Sequence, residues 1–252
     1  VGTSRDPRVP RLAIEKCRES HEDDAEDLLT GCALASDAFF PFADGPTAAI
    51  EAGATSGIVP GDDETVRYLR EESGVTEAIP CVAPDADAHY VRTVEVDVST
   101  LEPQIACPHM VDNVKPVSAV AGTKVQQIVI GSCTNGRLDD LAVAAEILRG
   151  KKVATGTRML VFPASGRIFQ QALEHGYVQD FMKAGAVVMN SGCGPCLGVH
   201  EGALGDNETA LSTTNRNFKG RMGNPNSEVY LCSPAVAAAS AITGLITDPR
   251  TV

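Results

Sequence analysis

The sequence contains no tryptophan and only 4% aromatic residues, so its core must be assembled from aliphatic side chains and alanine. No apolar run reaches the ~18 residues that a membrane helix needs. The most apolar stretch, Pro234 to Ile246, is rich in alanine and broken by Ser240 and Gly244. Positive charge is also scarce. Lys and Arg total 21 against 33 Asp and Glu, and the net charge of −12 argues against sequence-independent binding to nucleic acid or an anionic membrane. Eight cysteines in 252 residues are too few for a disulfide scaffold, which leaves free thiols or metal ligands and points to the cytoplasm. The first residues, Val-Gly-Thr-Ser-Arg-Asp, carry neither an initiating Met nor a signal pattern, which suggests an internal start and an N-terminally truncated polypeptide.

What remains, 43% hydrophobic and 21% charged, is ordinary for a globular chain. From about Val125, short β-branched runs alternate with helical patterns, the signature of a mainly parallel α/β sheet. Strands are predicted at Val125 to Ile130, Met159 to Phe162, Ala186 to Met189, Ala210 to Thr213 and Val229 to Cys232. A helix is expected where Leu138, Leu141, Ala142, Ala145 and Leu148 share a face and Gly150 ends it, another from Arg167 to His175, and a third after Pro234. Earlier, Asp63 to Glu72 reads as a helix capped by Asp62, Val94, Val96 and Val98 as a half-exposed strand, and the acidic run His21 to Asp27 as a solvated face.

Two predicted strands run directly into cysteines, where open α/β sheets build their ligand sites. Cys133 lies in Gly131-Ser132-Cys133-Thr134-Asn135-Gly136, and Cys193 and Cys196 form a C-x-x-C turn around Gly194 and Pro195. Such a turn aims two thiolates at one centre, and a third arrives by folding. Spacing alone leaves zinc, with His200 as a fourth ligand, a redox dithiol and an iron–sulfur cluster all open. Cys107 with His109 reads as structural, the glycine spacings do not fit a nucleotide loop, and Asn207-Glu208-Thr209 reads as an accidental glycosylation pattern.

Three longer stretches narrow this choice. Ile130 to Arg137, Cys193-Gly194-Pro195-Cys196-Leu197-Gly198, and Ser212 to Arg221 with Asn215-Arg216-Asn217-Phe218 inside it together resemble the aconitase family. The last two are most similar to its 3-isopropylmalate dehydratase and homoaconitase branch. The resemblance runs from about Ala49 to Val252 and implies aconitase-like large-subunit domains with mainly parallel sheets. In that family three cysteinates hold a 4Fe-4S cluster whose fourth iron, lacking a protein ligand, acts as a Lewis acid on the substrate. Carried over, Cys133, Cys193 and Cys196 are the ligands, and His200 becomes structural or exposed. Asn215 stands beside the cluster, Arg216 and Arg221 offer guanidinium forks to carboxylates, and Glu51 handles the water at the open iron.

Residues 8–56 resemble something else, the C-terminal part of AICAR transformylase, most clearly in Ser36-Asp37-Ala38-Phe39-Phe40-Pro41-Phe42. The formyl-transfer motif of that family is absent, so residues 1–48 are expected to be a separate segment ahead of an iron–sulfur region at 49–252. The functional expectation is a hydro-lyase component acting on a 2-hydroxy di- or tricarboxylic acid such as 3-isopropylmalate or homocitrate. The resemblance also implies a small subunit carrying the remaining catalytic groups. Family members use an upstream Asp-Ser-His-Thr segment that this sequence lacks, so no turnover is expected from the chain alone. The alternative is a non-catalytic α/β module whose three cysteines bind zinc or an iron–sulfur cluster.

Overall fold

The computed structural model describes residues 61–81, 83–90 and 101–252. Described residues up to 90 belong to one compact unit and those from 101 to another. The acidic run at 21–27, the expected strand at 94–98, the boundary near residue 48 and Glu51 lie outside the described residues.

In the first unit, helix α1 (Asp63–Glu71) begins as its sequence predicts. The Asp62 carboxylate accepts from the Thr65 N–H at 2.9 Å, and the Thr65 hydroxyl accepts from the Asp62 N–H at 3.0 Å, a reciprocal capping box.

The second unit is a seven-stranded sheet in the order β2-β1-β7-β6-β3-β4-β5. Its strands are β1 (Gln104–Ala106), β2 (Val114–Pro116), β3 (Gln127–Gly131), β4 (Arg158–Phe162), β5 (Val187–Val188), β6 (Thr209–Ser212) and β7 (Glu228–Leu231). Strands β7, β6, β3, β4 and β5 are mutually parallel, and β1 and β2 add an antiparallel edge. The expected parallel sheet is therefore present, with an edge that short sequences such as Gln-Ile-Ala gave no reason to predict.

Side-chain alternation divides the core between two faces. Ile128 and Ile130 of β3, Met159 and Val161 of β4 and Leu211 of β6 pack in one cluster; Val129, Phe162, Ala210, Val229 and Leu231 pack in the other. The first face is covered by α3 (Leu138–Leu148), α4 (Gly166–Glu174), α5 (Tyr177–Ala184) and α6 (Pro234–Thr243), which follow a four-residue turn of helix, α2 (Ser132–Asn135). Helix α6 starts at Pro234 with the Ser233 hydroxyl accepting from the Val236 N–H at 3.3 Å. Its alanines, Ala237, Ala238 and Ala241, are fully buried, which is how a chain poor in aromatics closes a core. Helix α5 follows Gly176 directly, so what the sequence presents as the end of one helix is the joint between two.

Chain direction across the sheet reverses between β3 and β6. From β3 the chain proceeds outward through β4 and β5; it then returns to the other side of β3 for β6 and β7. Right-handed crossovers place the returning connections on the opposite face, and there Leu204, between β5 and β6, and Met222, between β6 and β7, are buried. The loops after β3 and β6 thus leave the sheet at the strands' carboxyl ends, beside the point where the strand order reverses.

At the opposite edge, Arg158 grips Glu208 with two hydrogen bonds of 2.7 Å and donates to the buried Gln127 side chain, whose Nε2 donates to the Gly202 carbonyl at 2.7 Å. The Arg158 hydrogen bond holds the Glu208 carboxyl down at about 2, against an ordinary value of 4.5. Because the Arg158 side chain is 49% exposed, the pair should contribute no more than about 1 kcal/mol. A depressed folded-state pKa means that this stability is complete above 4.5 and is lost as the pH falls toward about 2. Glu208→Gln should therefore lower the urea midpoint at neutral pH and flatten its decline across that acidic window. Parallel wild-type and variant curves would show that the strap contributes nothing.

Candidate functional site

Strand β3 is buried along its whole length and ends at Gly131, where the chain turns sharply into α2. Gly131 has φ of 108°, and a β-carbon there would overlap the carbonyl oxygen of Phe162. Only glycine allows this approach. The turn buries Ser132, Thr134 and Asn135 and leaves Cys133 exposed at the strand end. Ser132 itself has φ of 84°, an uncommon conformation for a residue with a side chain.

The C-x-x-C segment forms a turn of 3-10 helix over Gly194–Leu197. A β-carbon on Gly194 would sit 2.5 Å from the Phe162 ring, so this turn also seats against the end of β4. The result brings Cys193 Sγ to 3.9 Å from Cys133 Sγ. Cys196, inside the turn, is buried. Gly198 closes against the backbone of Gly223, and this contact places Arg221 Nη2 3.7 Å from Cys196 Sγ.

The loop after β6 completes the site. Gly131 N–H donates to the Thr213 hydroxyl at 2.8 Å, the Asn135 amide donates to the Thr213 carbonyl at 2.5 Å, and the Thr134 hydroxyl donates to Asn215 Oδ1 at 2.6 Å. Asn217 donates to the Cys107 carbonyl at 2.8 Å, which ties the loop to the antiparallel edge. Arg216, half-buried, stands between Asn215 and Asn217.

Electrostatically the site is frustrated as it stands. The Cys193 thiol is pushed up, first by the neighbouring Cys133, then by burial and by Cys196, while Arg221 works in the opposite direction. A thiol held protonated by neighbouring thiols gains from a cation placed beside it. Among the described residues, four buried side-chain nitrogen or oxygen atoms lack a hydrogen-bond partner: Ser132 Oγ, Asn135 Oδ1, Asn217 Oδ1 and Arg221 Nε. All belong to these loops. Buried polar atoms are normally satisfied, so this clustering fits a site shaped around a further group. No three His, Cys, Asp or Glu residues among those described group tightly enough for a single ion. In a polynuclear cluster each cysteine binds a different iron, and the donor set of three thiols with an arginine nearby suits that chemistry.

The structure thus brings together Cys133, Cys193, Cys196, Asn215 and Arg221, with Arg216 in the same loop, and Glu51 lies outside the described residues. His200 is exposed and faces Glu201 at 3.5 Å. Cys107 is buried, with its thiol pushed up by desolvation, and Cys232 is buried at the end of β7. Sequence reasoning passed over Thr134, Asn135, Thr213 and Asn217. Their Ser/Thr/Asn-rich spacing beside glycines was the available signal.

These thiols lie at the carboxyl ends of the parallel strands, where the strand order reverses and α/β sheets commonly place their ligand sites. The chain belongs to the aconitase family: the model of the Aconitase family (aconitate hydratase) matches residues 47–244. It is 53% identical over 205 residues to the 3-isopropylmalate dehydratase large subunit 2 of Archaeoglobus fulgidus, covering 80% of this chain and 48% of that protein. It is 54% identical over 201 residues to the probable 3-isopropylmalate dehydratase large subunit of Methanothermobacter thermautotrophicus, with the same coverage. Identity to the corresponding large subunit of Lachnoclostridium phytofermentans is 53%, over 80% of this chain and 47% of that protein. The chain spans about half the length of these relatives.

The influence of Cys133 on Cys193 gives a direct test on the metal-free chain. Cys133→Ser removes the largest cause of the raised Cys193 pKa. A lower pKa leaves more thiolate at a given pH, so Cys193 should be alkylated by iodoacetamide several-fold faster at pH 8 in the variant than in the wild type. An unchanged rate, followed by peptide mass spectrometry, would mean that the two thiols do not meet in solution.

Proposed function

We propose that this chain is the cluster-bearing part of a hydro-lyase that removes water from, and returns it to, a 2-hydroxy polycarboxylate of the 3-isopropylmalate type. The observation that carries the reading is the meeting of Cys133, Cys193 and Cys196 at the sheet's carboxyl edge, with Arg221 against Cys196. These three thiols would hold a 4Fe-4S cluster, each on a different iron. When bound, the cluster supplies an iron without a protein ligand, a Lewis acid for the substrate's hydroxyl and carboxylate.

The chain's own residues would do the rest of the binding. Arg216 and Arg221 offer planar forks for carboxylates, and both carry positive charge into a chain whose net charge of −12 would otherwise repel a polyanion. Arg221 has a double duty, since its Nη2 faces a ligand sulfur while its buried Nε has no partner. Glu51 would give a proton to the departing hydroxyl and take one back from the water that returns. Three relatives carry "large subunit" in their names, and a small subunit is the partner proposed here to complete the site. Among the described residues no helix is long and apolar enough to cross a membrane. The free cysteines suit a reducing compartment, and the cytoplasm is the proposed location. The zinc alternative has less support: His200 is exposed beside Glu201, and no three His, Cys, Asp or Glu among the described residues are arranged for a single ion.

Anaerobic reconstitution with iron and sulfide tests the assignment. Cys133→Ser, Cys193→Ser and Cys196→Ser should each abolish the broad visible absorption of the cluster and its iron content, whereas Cys17→Ser, Cys81→Ser and Cys232→Ser should leave both intact. A full cluster in any of the first three would remove that residue from the ligand set.

A further inference from the structure

We infer that Thr134 is a positioning residue: its hydroxyl fixes the orientation of the Asn215 amide so that Asn215 presents N–H donors, and not its oxygen, to the sulfur atoms of the site. This rests on the iron–sulfur reading above. Thr134 is buried beside Cys133, and its Oγ1 donates to Asn215 Oδ1 at 2.6 Å, short for a bond between neutral groups. The bond joins the loop after β3 to the loop after β6 across the point where the sheet reverses direction.

An amide has one acceptor atom and one donor nitrogen, and occupying either decides what the other end offers. At Asn215 the oxygen is taken, and the hydrogen bonds among the described residues leave Nδ2 as the available end. Asn135 shows the opposite polarity. One N–H of its Nδ2 goes to the Thr213 carbonyl at 2.5 Å, and its buried Oδ1 remains without a partner. Thiolate and sulfide sulfur accept hydrogen bonds and do not donate them, so of the two amides Asn215 is the one that keeps both N–H donors for them among the described residues. Donors to cluster sulfur stabilise the reduced, more negative state and raise its potential. A hydroxyl one residue from a cysteine ligand would thereby set the cluster's electronics without touching substrate.

The reconstituted 252-residue chain is the material for the test, with the midpoint potential read by EPR-monitored redox titration. Thr134→Val, which keeps the side chain's shape and deletes the hydroxyl, should lower the potential in the same direction as Asn215→Ala. Thr134→Ser should restore it. The double variant should fall no further than Asn215→Ala alone, because Thr134 acts through that amide. A Thr134→Val potential equal to the wild type, or additive shifts in the double variant, would overturn the inference. Thr134→Ala serves as a second deletion of the hydroxyl. If both deletions failed to take up a cluster while Thr134→Ser did, the hydroxyl would be a folding requirement and the inference would fall. If the wild-type chain itself took up no cluster, the functional reading would fail first and the inference with it.

Discussion

The close approach of three glycines, in two loops, to Phe162 is the constraint on which the site depends. Phe162 ends β4, is fully buried, and offers its carbonyl to the turns at Gly131 and Gly136 and its ring to the turn at Gly194. Any side chain at these glycines would collide with it. One aromatic residue in a chain that has few of them therefore sets the distance between the loop bearing Cys133 and the loop bearing Cys193 and Cys196. A second contact of the same kind, Gly198 against Gly223, fixes Arg221 relative to Cys196. Glycine at such positions costs conformational entropy in the unfolded chain, and the return is a placement of backbone that no other residue permits.

The consequence is a site held together by packing and backbone geometry while its polar groups remain unsatisfied. Among the described residues, a Cys193 thiol pushed up by Cys133, four orphaned buried polar atoms and a strained Ser132 collect within the loops at one sheet edge. Local strain of this kind persists where the surroundings over-determine it, and here those surroundings are the parallel strands β3, β4 and β6 with helices packed beneath them. The position of the site follows from topology, because the loops that leave β3 and β6 do so where the order of the strands reverses.

Much of this was legible in the residues. Five β-branched or apolar runs gave the five parallel strands to within two residues at either end, because buried parallel strands write themselves as continuous apolar segments. The cysteine positions after strand ends were equally plain. What escaped had short or ambiguous signals. Strands β1 and β2 are three residues each, and β2 is mostly exposed, so no periodicity could develop. Helix α5 was hidden because Gly176 serves both as the stop of one helix and as the residue before the next. The site's second layer was invisible for another reason. That Thr134 meets Asn215, or that Phe162 lies under three glycines, depends on contacts between residues far apart in sequence, which no local pattern encodes. The role that the resemblance implies for Glu51 falls on a residue outside the described ones.

The central claim is that three thiols at this edge hold a cluster with one iron left open for substrate. Mössbauer spectroscopy of the chain reconstituted with isotopically enriched iron measures it most directly. The account predicts two classes of iron in a three-to-one ratio, with the minor class alone shifting when 3-isopropylmalate is added. Four iron sites that respond alike, or a chain that retains stoichiometric zinc in place of iron, would contradict it.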